Sequence, residues 1–151
     1  MKTATRIQTH AKRHNPRHSM ASIHVLAANS EQPEANANRI MLTLRVAFEK
    51  LKIGTEDHSQ FDRLAAAINV GLIRAEAIDK QPEEVMLSGV QAMMSCACIC
   101  ERHGHYGFTG PDLLAVNDAL DLYEDILRLS TPKQMLDALD AAAARMRGLA
   151  A

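Results

Sequence analysis

Between Ser30 and Gly148 apolar side chains recur every three or four positions, the period of helices that bury one face, and caps and breakers separate the periodic stretches. The first stretch follows Ser30, with Glu31, Pro33 and Glu34 in its opening turn. It carries Ile40, Leu44, Ala47 or Phe48, and Leu51 on one face until Gly54 ends it. Thr55 is placed to cap a second helix, along which Phe61, Leu64, Ala65, Ile68, Leu72, Ala75 and Ile78 align. Gly71 falls inside that stripe, where glycine costs about 1 kcal/mol against alanine. Its presence predicts either a cost simply borne or a close approach by another backbone. Asp79 to Gln81 read as a connector and Pro82 as the first position of a third helix ending near Arg102, capped by Gly104. Its expected buried positions are Val85, Leu87, Val90, Met93, Met94, Ala97 and Ile99. His105 to Gly110 read as a loop. Pro111 opens a fourth helix through Leu113, Val116, Asn117, Leu120, Tyr123 and Leu127. Thr131-Pro132-Lys133-Gln134 forms a capping box for a fifth, with Leu136, Leu139, Ala143 and Met146 inward until Gly148.

Five helices joined by connectors of a few residues imply antiparallel neighbours. The expected fold is all-α, a compact bundle or array of about five helices forming one domain over residues 30–148; a short α-solenoid would use the same elements. Residues 1–29 mix Lys, Arg, His, Thr and Ser with few large apolar side chains, and Asn15-Pro16 breaks any helix there. They are expected to form a disordered basic arm in which only Ile23-His24-Val25-Leu26 is apolar enough to dock on the body.

Composition sharpens this picture. The 151 residues include 24 alanines and 8 methionines but only five aromatics, so the core must be built from thin side chains. Such a core suits closely packed helices and suits strands badly. The net charge of −1 divides unevenly. Residues 1–30 hold Lys2, Arg6, Lys12, Arg13 and Arg17 with no acid, whereas the remaining 121 residues hold twelve basic and eighteen acidic side chains. The two parts attract each other, and each attracts a different class of partner. No apolar run is long enough for a membrane span, and the first 26 residues lack the continuous apolar segment of a secretory signal. Cys96, Cys98 and Cys100 fall too close together to staple distant elements, which suits a reducing, cytoplasmic setting.

Candidate chemistry is sparse. Cys96, Cys100 and His103 would share one side of the third helix, with Cys98 nearly opposite, and three soft ligands on one face are the beginning of a zinc or copper site. No second paired motif completes such a site, so the expectation is of no metal and no cofactor, the cysteines serving as small buried hydrophobes. In the arm, Lys12, Arg13 and Arg17 are suited to phosphate contacts on a nucleic acid, while His10, His14 and His18 recur every four residues across a helix-breaking Pro16. There is no Gly-rich phosphate loop, no nucleophile elbow and no zinc helix of the His-Glu-x-x-His type, so no enzyme is expected and no catalytic residue is assigned. Two partner-binding surfaces remain. Asp118, Asp121, Glu124 and Asp125 line the polar side of the fourth helix, and His105, Tyr106 and Phe108 offer ring anchors from the loop before it. The plain alternatives are a solvated face and a loop that merely staples the helix start.

The order of features resembles small uncharacterised helical proteins of proteobacterial prophages and other mobile elements. The resemblance rests on Arg13-His14-Asn15-Pro16, on Leu64-Ala65-Ala66-Ala67-Ile68-Asn69-Val70-Gly71-Leu72 and on Phe108-Thr109-Gly110-Pro111-Asp112-Leu113, and spans roughly residues 12 to 140. It implies a protein that binds and blocks, or retunes, host machinery. The expected function is therefore a non-enzymatic interaction module, an inhibitor of a host defence complex in the manner of an anti-CRISPR protein, whose partner is a host or phage protein complex. The alternatives are a nucleic-acid-binding accessory protein using the arm, acting as a homodimer, and a metal or thiol sensor at Cys96, Cys100 and His103.

Overall fold

The computed structural model describes residues 34–150, which form five helices and, among the described residues, no strand. They are α1 (Glu34–Ile53), α2 (His58–Glu76), α3 (Lys80–His103), α4 (Gly110–Leu129) and α5 (Pro132–Ala150). The all-α expectation therefore holds. The basic arm, the Ser30 cap and Lys12, Arg13 and Arg17 lie outside the described residues. No described helix is long and apolar enough to cross a membrane.

The starts of α2, α3, α4 and α5 are each set by a local polar contact. Asp57, rather than Thr55, caps α2: its carboxylate accepts from the Ser59 backbone N–H at 2.9 Å and from the Ser59 hydroxyl at 2.7 Å, while Thr55 accepts from the Asp57 N–H. The Ser59 side chain first, then Gln60 and the Ser59 N–H, hold the Asp57 carboxyl down at about 2. Asp79 caps α3 three residues before Pro82, which sits in the first turn where no intrahelical N–H is needed. Thr109 caps α4 ahead of Pro111. The capping box of α5 forms as read, Gln134 donating its N–H to Thr131 Oγ1 at 3.2 Å and accepting the Thr131 N–H at 2.9 Å. Gly104 ends α3 in the left-handed region at φ 78°, its N–H on the Cys100 carbonyl.

Helices α1 to α4 pack as neighbours in chain order and close through an α1–α4 contact; α5 lies outside this group and packs on α2, which touches all four others. Arg128 reaches Asn38, Arg45 reaches Asp121 and Phe48 meets Phe108, so α1 and α4 run antiparallel. Ser130, just before α5, accepts from Arg74, and Arg145, four turns later, pairs with Glu76. Ser130 ahead of α5 and Arg145 within it thus both meet the last turn of α2.

The core faces of α1, α2 and α4 are close to those read from the pattern, with Leu44, Ala47, Phe48, Leu51, Leu64, Ile68, Leu72, Ala75, Val116, Leu120, Tyr123 and Leu127 buried. Ile40, Phe61, Ala65 and Leu113 pack against it half-buried, while Ile78 lies past the end of α2 and is exposed. Helix α3 is turned by about one position from the reading. Met86, Gly89, Ala92, Met93 and Cys96 face inward, and Leu87 and Met94 face out. The reason is spacing: a Cβ on Gly89 would stand 2.6 Å from the Ala119 Cβ, so α3 and α4 approach through their smallest residues. Gly71, by contrast, makes room for the Met86 side chain and the Tyr123 ring and not for a backbone. Helix α5 is turned in a similar way, with Leu136 and Ala143 half-buried. Ala138 and Ala142 are buried, Leu139 and Met146 are exposed, and the helix continues through Gly148 to Ala150.

Candidate functional site

The expected partner-binding residues separate into two regions with different roles. The loop region is structural. Tyr106 is 5% exposed, stacks on Phe61 with ring centroids 4.9 Å apart, hydrogen-bonds the His58 ring at 2.5 Å and donates its N–H to the Thr55 carbonyl at 3.0 Å. Burial, with the Cys100 thiol beside it, pushes its phenol up from the ordinary value. Tyr106 therefore pins the α3–α4 loop to the α1–α2 turn and is not presented to a partner. Phe108 is half-buried, edge-on to Phe48 at 5.6 Å, and Lys52 lies over the other ring. Four of the five aromatics thus gather at this end of the bundle, where periodicity alone had left two of them as loop anchors. His105 remains exposed, its Nδ1 at 3.1 Å from the Tyr106 carbonyl.

The thiols belong to the same end. Cys96 is fully buried and burial pushes its thiol up to about 11; Cys100 is half-buried and Cys98 is exposed on the opposite side, as the helical period implies. His103 is exposed and stacks on His105 at 6.0 Å. Among the described residues no three His, Cys, Asp or Glu side chains converge as a metal site, so Cys96, Cys100 and His103 are not brought together as ligands.

The second region is the outward side of α4 and its neighbour α1. At roughly 100° per residue, Leu114, Asp118, Asp121 and Asp125 fall within about 60° of one another, opposite the buried Val116, Ala119 and Tyr123. Asp121 accepts from Arg45, which also donates to Asn117 at 2.9 Å. Glu124 pairs with Arg128, which reaches across to Asn38 at 2.7 Å. Asp121 therefore helps fasten α1 to α4 and Glu124 holds Arg128, which reaches α1, while Asp118 and Asp125 make no ion pair among the described residues. Sequence reading missed what lies beside them. Leu114 is 68% exposed, and on α1 Leu42 and Val46 are 67% and 43% exposed on the side opposite Leu44 and Leu51. Only the α1–α4 contact makes these separate outward positions one surface, apolar on α1 and at Leu114, acidic along α4.

A hydrophobic and acidic face of this kind can bury aliphatic side chains from a partner while its carboxylates meet basic groups. It presents no nucleophile or paired acid and base. No family model, no curated protein and no solved structure matches this chain.

Proposed function

We propose that this chain is a non-enzymatic interaction protein that docks a basic protein surface on the outward face of α1 and α4. The observation that carries the reading is the juxtaposition of exposed Leu42, Val46 and Leu114 with Asp118 and Asp125 on two helices locked together by the Arg45–Asp121 and Arg128–Asn38 contacts. Rigid helices hold the face in one shape, so binding requires little ordering. Basic surfaces of that description are common on proteins that handle nucleic acid, which suits an inhibitor that covers the nucleic-acid groove of a host defence complex. The resemblance to mobile-element proteins supports the same context.

The test is affinity capture from a host lysate with wild-type protein, a Leu42→Glu/Leu114→Glu variant and an Asp118→Lys/Asp125→Lys variant. All four positions are exposed, so each variant should keep its helical circular dichroism. The expected result is recovery of a basic protein complex that both variants bind at least about tenfold more weakly, a loss of roughly 1.4 kcal/mol. Capture unchanged in both variants, or turnover of a substrate by the purified protein, would remove this reading. Duplex DNA binding near about 50 mM salt that disappears on deleting residues 1–29 would favour the arm, through Lys12, Arg13 and Arg17, as the binding element instead.

A further inference from the structure

Along the outer side of α1 runs one continuous stripe. Ala35, Arg39, Leu42, Val46, Glu49 and Ile53 follow one another at alternating intervals of four and three residues, and all six are exposed. At roughly 100° per residue they fall within about 80° of one another, opposite the buried Leu44, Phe48 and Leu51. Its aliphatic members are open to water, Leu42 at 67%, Val46 at 43% and Ile53 at 85% exposure. Alternating threes and fours are the seam spacing of paired helices. We propose that this stripe takes a second copy of the chain, α1 packing antiparallel on α1 about a two-fold axis level with Leu44.

The order of residues along the stripe is the reason for a copy and for the antiparallel direction. Leu44 marks its midpoint, so reversing one helix sets Leu42 opposite Val46, Arg39 opposite Glu49 and Ala35 opposite Ile53, each pair formed twice. Aliphatic layers lie at the centre, an Arg–Glu layer lies beyond them on either side, and a small residue meets a large one at both ends. A parallel pair would instead set Arg39 on Arg39 and Glu49 on Glu49, like charges in contact. Arg39 makes no ion pair among the described residues. Glu49 pairs with Lys52 at 2.9 Å, yet its side chain is 61% exposed and a carboxylate can accept from a second donor. With one arginine and one glutamate the stripe is electrically neutral, which suits a copy of itself better than a basic surface; the aspartates that suit a basic surface stand on α4.

Arg45 and Asn38, which reach α4, stand about 60–80° round α1 from the middle of the stripe. Helix α4 therefore flanks the seam, and Asp118 and Asp125 stay outside it in both copies. The inference goes beyond the docking reading and limits it. The two share Leu42 and Val46, so a partner that buries those side chains must separate the copies, whereas one held by α4 alone binds either form. The stripe is about 27 Å long at a rise of 1.5 Å per residue. A single pair of helix faces of that length lies at the low end of specific interfaces, near about 1,000 Å². The expected dimer is accordingly micromolar, separated when dilute and paired where the chain is concentrated.

The experiment is sedimentation velocity on the full-length chain with its thiols kept reduced, from about 2 to 500 µM, a range that brackets a micromolar equilibrium. The expected result is a reversible monomer–dimer equilibrium. Leu42→Glu/Val46→Glu should weaken it at least about tenfold, and Arg39→Glu or Glu49→Arg alone at least about threefold. The double swap Arg39→Glu/Glu49→Arg should return it to within about twofold of wild type, because exchanging the charges restores the pair only where Arg39 faces Glu49. All four positions are exposed, so each variant should keep its helical circular dichroism. A chain that stays monomeric throughout overturns the inference. So does a dimer that survives Leu42→Glu/Val46→Glu, one lost instead in Leu139→Glu/Met146→Glu on α5, one indifferent to the single charge changes, or one that the double swap does not rescue. The measurement needs no partner: the failure of capture from a lysate leaves it standing, and a monomeric result leaves the external docking surface intact.

Discussion

Cys96, Cys98 and Cys100 alternate along less than two turns of α3 and occupy three environments: buried, exposed and half-buried. Since the thiolate is the reactive species, a thiol held up at about 11 is ionised in only about one molecule in a thousand at pH 8. Titrating native protein with a disulfide reagent at pH 8 should therefore show one fast thiol, removed by Cys98→Ser. Cys96 should react only as fast as the protein opens; reaction of all three at one rate would contradict the packing of α3. Asp57 gives a second residue-level prediction. Its folded-state value, held at about 2 by the Ser59 and Gln60 hydrogen bonds, lies below the ordinary 3.8. The sign follows: the ionised cap stabilises the fold above about pH 4, and that contribution is lost as pH falls through about 2. The Tm difference between wild type and Asp57→Ala should be positive at pH 6 and narrow steadily between pH 4 and pH 2. A difference constant across that interval would show that the carboxylate charge contributes nothing at the start of α2.

Helix α3 shows why one element can be legible as a helix and still be misplaced in rotation. Its sequence offers apolar residues on both sides of the stripe, as in Val85-Met86-Leu87 and Ala92-Met93-Met94, so periodicity weights the large side chains and favours Leu87 and Met94. Packing selects the opposite, because α3 approaches α4 through Gly89 against Ala119. The same competition turns α5, where Ala138 and Ala142 meet the bundle while Leu139 and Met146 face out. On α1, α2 and α4 the buried faces match the reading apart from Ile78, because the apolar residues at helical spacing form the larger arc on each. The acids of the candidate face were legible for the same reason, as the polar side of α4; Leu42, Val46 and Leu114 were not, since only the α1–α4 contact joins them. Gly89 and Gly71 provide the test at this scale. Alanine at either position gains up to about 1 kcal/mol of helix propensity. At Gly89 the new methyl meets Ala119, whose position is fixed by its backbone, and overpacking of this kind costs about 1–3 kcal/mol. At Gly71 the nearest atom is the flexible end of Met86, which can swing aside. Urea unfolding should give Gly89→Ala a lower midpoint than Gly71→Ala. The reverse order would mean that α3 and α4 are farther apart than their small residues imply.

At the scale of the whole molecule the five helices are not equivalent. Helix α2 touches all four others, whereas α5 is held chiefly by α2, through two alanines, the Arg74–Ser130 hydrogen bond and the Arg145–Glu76 ion pair. Elements with few buried apolar contacts open at lower free energy than those at the centre of the core. Amide hydrogen exchange should accordingly be slowest in α2 and faster by orders of magnitude along α5. The ion pair is the contact to remove: Arg145 donates to both Glu76 oxygens at 2.8 and 2.6 Å, and its hydrogen bonds lower the Glu76 carboxyl below the ordinary range. The pair is about half exposed, so its contribution is under about 1 kcal/mol. Glu76→Gln should therefore quicken exchange in the last two turns of α5 by up to about fivefold while leaving the middle of α2 unchanged. Equal acceleration in both helices would mean that α5 opens only with the whole bundle. Confinement to α5 would show that the exposed Leu139 and Met146 ride on the most easily detached helix, and that the rigid surface of this protein is the one formed by α1 and α4.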